Sequence, residues 1–407
     1  RPCGIVYTRQ ESMRSSTKRH PSEITLKAGC DSEGRITGYD FKGHFNTGAY
    51  ASWGPTVANR VPVHASGPFH ITSYRARSIA VHTHCPPSGA FRGFGVPQSA
   101  IAQECVFDEL ADAAGIDRLE FRLINALADG LPTATGQVFP SGVGIKACLE
   151  ALQAPWRKAR KRAADFNAGR SHLRKGVGLG TCWYGCGNTS LPNPSTMKIG
   201  VTGDGRIVLH QGAVDIGQGA STVMVQIAAD ALGVPADAIS LQSADTAITP
   251  DAGKTSASRQ TFVSGNATRL SGEALRASIL RHANVTGDAV IRIAGQALVI
   301  SEGASERRID LAALAPDSEG YDFRAEETYD PPTSALDENG QGSPYAVFGY
   351  GAQMMELTVD TRLGTVTLDR LTAAHDVGRA INPLLVEGQI EGGVAQGIGM
   401  ALMEDFQ

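Results

Sequence analysis

The chain has 407 residues, enough for two or three domains on size alone. Hydrophobic residues make up 42%, charged residues 19%, and there are 47 glycines, the profile of a well-packed chain rich in turns. A net charge of −4 speaks against a nucleic-acid partner, and no apolar run reaches the roughly 18 residues of a membrane span, nor is a secretory signal visible.

Residues 3–8 read as a strand and 9–20 as a loop or short helix. Alternating apolar and polar residues at 22–30 and 36–45 flank Asp31-Ser-Glu-Gly34, a hairpin signal. Residues 47–55 form a turn-rich loop with Tyr50 and Trp53, and Arg60 and His64 follow it. A strand over 76–83 leads into Ser88-Gly-Ala-Phe-Arg-Gly-Phe-Gly-Val-Pro-Gln98. Its glycines weaken a strand interior, while Phe91 and Phe94 are out of place on an open surface loop. The stretch reads as a pocket-lining loop: Gly89, Gly93 and Gly95 for tight turns, Arg92 for fixed charge, the rings for apolar walls. A glycine-rich turn over a buried Phe pair and a salt-bridged arginine is the alternative.

Helices are expected at 99–115, 118–128 and 145–167, the last broken at Pro155 and carrying a basic run over 157–162 that reads as a solvated face. A domain boundary is placed at 170/171. Beyond it lie a buried strand at 176–184, a hairpin at 195–201 and 207–211, and a helix at 221–232. A short strand at 239–242 and a long helix at 262–283 follow. Residues 288–316 read as two short strands and a short helix. A hairpin spans 350–360 and 366–377, and a glycine-rich helix 385–404. The interleaving lacks a regular βαβ rhythm, so the fold class is α+β.

Gly217-Gln-Gly219 precedes a helix and so resembles an anion site, but it is neither a Walker A motif nor a full GxGxxG, and an ordinary strand-to-helix turn explains it too. Thr255-Ser-Ala-Ser-Arg-Gln-Thr261 suits a ligand with phosphate or amide groups; helix capping explains only part of it. Gln389 and Gln396, seven apart, share a face of a glycine-rich helix, where either a ligand or a close helix crossing fits. Tyr184 could stack on a planar ring or simply be core. The ten histidines have no HxxxH spacing, so no zinc or iron site is indicated. Seven scattered cysteines without a Cys-x-x-Cys pair give no iron–sulfur cluster and read as free thiols in a reducing, cytoplasmic compartment. Opening on Arg1-Pro2 and closing on a glycine-rich run, the chain is expected to be a fragment or processed subunit.

In this order, Ala90-Phe-Arg-Gly-Phe-Gly-Val-Pro-Gln98, Asp215-Ile-Gly-Gln-Gly219, Thr255-Ser-Ala-Ser-Arg-Gln-Thr261 and Glu387-Gly-Gln-Ile-Glu-Gly392, with Lys18-Arg-His-Pro21 before them, resemble the molybdopterin-binding subunit of the xanthine dehydrogenase/aldehyde oxidase family. Gly48-Ala-Tyr-Ala-Ser52, Gly95-Val-Pro-Gln98 and Trp183-Tyr-Gly-Cys-Gly-Asn-Thr-Ser-Leu-Pro-Asn-Pro194 bring it nearest to nicotinate dehydrogenase, whose molybdenum part is split over two chains where this one is continuous. The resemblance implies two mixed domains, 1–170 and 171–407, with a molybdenum cofactor between them. It implies a hydroxylase of aromatic N-heterocycles that takes its oxygen from water; aldehyde or purine oxidation and a non-catalytic assembly role are the alternatives.

The resemblance also assigns residues. Arg60, Phe94, Tyr184 and Thr189 would face substrate. Gly89, Ala90, Phe91, Arg92, Gly217, Gln218, Gly219, Ser256, Ala257, Ser258, Gln389 and Gln396 would hold molybdopterin, the cytosine dinucleotide form being expected. Arg92 and Ala257 would lie beside the metal. FAD and [2Fe-2S] clusters are expected on partner flavin and iron–sulfur subunits. The family's basic glutamate stands in a Gly-Glu-Pro motif that these residues lack. No catalytic residue is therefore assigned, and the chain by itself is expected to be inactive without a further molybdenum-domain chain or segment.

Overall fold

The computed structural model describes residues 3–169 and 172–404. Two compact units result: residues 1–185 with 333–378, and residues 186–332 with 379–407. The expected cut at 170/171 falls on residues outside those described. The helix before it and the strand after it belong to the same unit, because the strand is hydrogen-bonded to a partner supplied by 348–360.

The first unit begins with α1 (Arg9–Ser15), β1 (Ser22–Cys30), β2 (Ile36–Gly48), α2 (Gly54–His64) and β3 (Tyr74–His82). It goes on through α3 (Val96–Ala114), α4 (Arg118–Asn125), α5 (Ile145–Ala168) and β4 (Leu173–Gly185). The second contains β5 (Ser195–Thr202), β6 (Ile207–Gln211), α6 (Ala220–Leu232), β7 (Ile239–Ser243) and α7 (Gly265–His282). It continues through β8 (Val290–Ile293), β9 (Ala297–Glu302), β10 (Ser305–Asp310) and β11 (Tyr321–Tyr329). β12 (Phe348–Asp360) and β13 (Thr365–Asp376) return to the first unit, and α8 (Pro383–Leu402) to the second.

In the first unit, β2 is central to the sheet β1-β2-β3, antiparallel to β1 and parallel to β3. β12 is central to the antiparallel sheet β13-β12-β4, where it sets Tyr350 opposite Trp183 and Phe348 opposite Gly185. Alternation on β2 buries Tyr39, Phe41 and Phe45 against Phe69, Phe107 and Phe121. A second core packs Leu149, Leu152 and Trp156 of α5 with Trp183, Phe348 and Tyr350. In the second unit, the sheet β11-β5-β6-β7 shares one core with α6 and α7. The sheet β10-β9-β8 stands beside it in sequence, with Leu298 and Ile300 in that same core.

Several expectations need correction. Residues 3–8 are not a strand; Ile5 and Val6 are 83% and 92% exposed and find no ladder to join. Residues 54–64 are helical although Pro55 and Pro62 break the pattern. Pro55 sits in the first turn, where no N–H is needed, and Ser78 donates its hydroxyl to the Ala58 carbonyl that Pro62 cannot serve. α5 runs unbroken through Pro155, because Leu152, Trp156, Ala159 and Ala163 keep one face buried on either side of it. Residues 290–310 hold three strands rather than two, and β11 adds a strand that the sequence reading missed.

Candidate functional site

In the first unit, Lys18-Arg-His-Pro21 and the 88–98 loop lie side by side. Gly89 N donates to the Lys18 carbonyl at 3.0 Å, and Gln98 Nε2 to that of His20 at 3.0 Å. Arg19 donates to the Arg92 carbonyl at 2.7 Å and lies over the Phe91 ring at 4.6 Å. Ala90 and Arg92 are exposed, while Gly89 is buried. Gly93 and Gly95 have φ of 91° and 93°, and Phe94 between them is also left-handed at 51°, a conformation that is uncommon for a large side chain. A Cβ on Gly95 would lie 2.9 Å from Val61 of α2, so the glycine lets the loop close onto that helix.

The loop brings Phe94 to a buried guanidinium. Arg60, on α2 and only 2% exposed, lies 5.5 Å from the Phe94 ring, 4.6 Å from Tyr184 and 5.2 Å from Tyr345. Its Nη1 donates to the Gly185 carbonyl at 3.4 Å. Each such cation–ring contact is worth on the order of 0.5–2 kcal/mol, more where water is excluded. Three of the four residues expected to face substrate therefore form one cluster. The fourth, Thr189, is buried in the second unit.

One turn along α2 is His64, 2% exposed, with Trp183, Tyr184, Tyr345 and Phe348 around its ring. Burial, reinforced by the Arg60 charge, pushes its pKa down to about 3, so it is neutral. Nε2 accepts from Gly185 N at 3.1 Å; Nδ1 therefore carries the proton and donates to the Arg60 carbonyl at 3.0 Å. The sequence reading gave no role to His64 or Tyr345. The i, i+4 spacing of Arg60 and His64 was the available signal, unused because residues 56–64 were given no element.

The other three motifs gather in the second unit. Val214 N and the Val214 carbonyl both bond the Thr255 hydroxyl, at 3.2 and 2.8 Å, joining the 214–219 loop to the 255–261 loop. Gly187 N donates to the Ala257 carbonyl at 2.8 Å, adding the loop that bears Thr189. Gly219, with φ of 84°, approaches Leu385 of α8 so closely that a Cβ would lie 2.7 Å from it. On α8, Gln389 is exposed and Gln396 half-buried.

The amides before α6 already have an anion. Asp215 accepts from Gly217 N at 2.8 Å, Gly219 N at 3.3 Å and Ser221 N at 3.0 Å. Burial pushes its pKa up, but these bonds, with one from Gln218, outweigh it and hold the carboxyl below the usual range. The main chain of Gly217 and Gly219 thus binds its own carboxylate. The atom left over is Gln218 Nε2, buried and without a hydrogen-bond partner, while Gln218 Oε1 takes Ile216 N at 2.7 Å. A buried amide donor of this kind fits an acceptor on a polar ligand.

The 255–261 loop is not a capping cluster: neither α7 nor the π-turn over Gln260–Ser264 has a side-chain cap. Instead Ala257 and Ser258 are both left-handed, with φ of 58° and 53°, strain of a kind that collects at ligand sites. Arg259, 1% exposed, staples the loop from behind. It donates to Asn193 Oδ1 at 2.8 Å, to the Asn193 carbonyl at 2.9 Å, and to the carbonyls of Pro194 and Ala252. Among the described residues no group of three or more His, Cys, Asp or Glu side chains converges to hold an ion.

Profiles described as molybdopterin cofactor-binding domain match residues 1–126 and 150–407. The chain belongs to the molybdenum hydroxylase family. All of it aligns at 33% identity with the putative xanthine dehydrogenase molybdenum-binding subunit of Escherichia coli K12, of which it covers 54%. All of it aligns at 28% with the nicotinate hydroxylase of Emericella nidulans, of which it covers 30%. The aldehyde oxidoreductase structure from Desulfovibrio gigas superposes on 98% of the chain with a TM-score of 0.84 at 29% identity, 42% of that chain being covered. The chain thus spans about half or less of these relatives. The α+β class is borne out, and molybdopterin with molybdenum is the cofactor its family's domains bind. The buried Gln218 donor and the strained 257–258 turn are features of this chain that fit such a group.

Proposed function

We propose that this chain supplies the cofactor grip and the substrate walls of a molybdenum hydroxylase acting on an aromatic N-heterocycle of the nicotinate kind, with water giving the oxygen. The observation that carries the reading is Arg60, a buried cation framed by Phe94, Tyr184 and Tyr345. A flat ring bearing a carboxylate matches this chemistry: Phe94 and Tyr184 offer faces to the ring, and the guanidinium can take the carboxylate in a two-pronged bond. Thr189, a residue of the second unit, is assigned to substrate as a hydroxyl contact.

When bound, the molybdenum cofactor supplies the redox and oxygen-transfer chemistry. The chain's own residues hold and orient. Gln218 offers a donor to an acceptor on the pterin or its tail. In the second unit, the turn at Ser256, Ala257 and Ser258, with Gln389 and Gln396 of α8, is assigned to the same role; in the first unit, Gly89, Ala90, Phe91 and Arg92 are assigned to the cofactor. We assign the cytosine dinucleotide form, to be read by mass spectrometry of the released pterin. Iron–sulfur and flavin subunits would receive the electrons, in line with a relative named as a molybdenum-binding subunit.

Aldehyde or purine oxidation is the second reading, favoured by relatives named for xanthine and aldehyde. Steady-state kinetics of the holoenzyme separate the two. Nicotinate is expected to turn over with a kcat/KM at least tenfold above xanthine or benzaldehyde, and Arg60→Ala is expected to raise its KM at least tenfold. Equal or better use of xanthine or benzaldehyde by the wild-type enzyme overturns the heterocyclic-acid assignment.

A further inference from the structure

The geometry points to His64 as a positioning residue that locks the Arg60–Tyr184 wall through two oppositely polarised hydrogen bonds. The inference rests on the proposed reading that this wall faces substrate.

The two walls come from distant parts of the chain. Arg60 is on a helix and Tyr184 near the end of a strand, 124 positions further along the chain. The guanidinium lies 4.6 Å from the ring and reaches the Gly185 carbonyl by one long bond of 3.4 Å. His64 spans that gap at atoms on both sides. Nδ1–H donates to the carbonyl of Arg60 itself, and Nε2 accepts the amide of Gly185, the residue after Tyr184. The His64 carbonyl accepts Trp183 Nε1 at 3.1 Å, gripping the residue before Tyr184. The strand is thus held on both flanks of Tyr184 by one residue of α2.

The bonds require a neutral, single-tautomer imidazole. Protonation would turn Nε2 from acceptor to donor and set it against Gly185 N–H. Rings of Tyr345 and Phe348 close the remaining sides, with centroids 5.3 and 5.8 Å from the imidazole. Gly185 is in register with Phe348 across the ladder, and its Cα packs against Tyr345 with no room for a side chain. An apolar replacement at 64 leaves that amide buried and unserved, which strands at a packed site relieve by shifting. A shift of even 1 Å would misplace Tyr184 against a bound ring.

The test uses the holoenzyme with His64→Leu, His64→Asn, His64→Gln and Arg60→Ala, with molybdenum content measured for each. His64→Leu, and His64→Asn, whose amide is too short to reach Gly185 N, are expected to raise the KM for nicotinate at least tenfold with kcat changed less than threefold. His64→Gln, whose amide oxygen reaches the Nε2 position, is expected to return KM to within threefold of wild type. Hydrogen exchange of the 183–187 segment, read by mass spectrometry, should quicken in His64→Leu and His64→Asn and not in His64→Gln. Wild-type KM and exchange in either of the first two, or no recovery in His64→Gln, overturns the inference. If His64→Leu does not fold, His64→Asn against His64→Gln decides. If Arg60→Ala leaves KM unchanged, the substrate-wall reading itself is lost; an Arg60 effect without a His64 effect removes only the role given to His64.

Discussion

Single residues decide how close the main chain comes to itself. Gly185 has an ordinary extended backbone, so its glycine is not explained by φ; a methyl group there would overlap the buried Tyr345 ring. Gly185→Ala is therefore expected to destabilise by about 1–3 kcal/mol through overpacking, seen as a lower urea midpoint with an unchanged slope. Arg259 makes the complementary case. Its fork reaches five acceptors behind the 255–261 loop, and lysine has neither the plane nor the donors to repeat that. Arg259→Lys should loosen the strained turn at Ala257 and Ser258. The expected result is pterin content below half of wild type and faster proteolysis within 251–258. Unchanged pterin content would separate the staple from the grip.

Elements are held by one buried charge network in the first unit. Arg122 of α4, fully buried, pairs through Nε with Glu104 of α3 at 2.8 Å and through Nη1 with Asp108 at 2.9 Å. Glu104 also accepts Thr181 N of β4 at 2.9 Å, so two helices and a strand share one carboxylate. Burial works against the Arg122 charge, but Glu104 and Asp108 outweigh it and raise its pKa. Arg122→Ala would take the guanidinium away from the Glu104 and Asp108 carboxylates and is expected to cost about 3–5 kcal/mol. Glu104→Gln keeps an acceptor for Thr181 N and should cost less; equal losses would show that packing, not charge, is what the network supplies. At this scale the sequence was legible where one force acted. α3 carries apolar spacing and a glycine at 115 in the left-handed form, and the reading matched it. It faltered where forces compete. Tertiary burial carries α5 through Pro155, and a hydroxyl from β3 rescues α2 at Pro62. Leaving residues 56–64 without an element concealed His64, whose meaning depends on being one turn from Arg60.

The two units were legible as composition and motif but not as boundaries, because strand pairing returns 333–378 to the first unit across nearly 150 residues. Local patterns carry no record of such a return. The ordered motifs did carry the family, since several of them are tied to particular left-handed turns, at 93–95, 217–219 and 257–258, rather than to a packing preference. Histidine burial is a property of the whole chain that no motif records. Burial lowers the pKa of His20 to about 4 and His64 to about 3, and lowers those of His210 and His375 as well, the Lys198 charge adding to the effect on His210 and the Arg60 charge to that on His64. These rings are neutral when folded and titrate near 6.5 when unfolded. The unfolded chain thus binds more protons below that pH. Their contribution is complete above pH 6.5, declines as pH falls, and is spent by about pH 4 for His20 and about pH 3 for His64. Each ring contributes at most ~1.4 kcal/mol per pH unit inside its window. Urea midpoints should therefore drop steadily from pH 6.5 to pH 4, before most carboxylates titrate. His64→Gln should flatten that slope while lowering the midpoint little at pH 7.5. A midpoint constant from pH 6.5 to 4.5 would mean that these rings stay neutral in the unfolded chain or charge freely in the folded one, against the burial of His20 and His64.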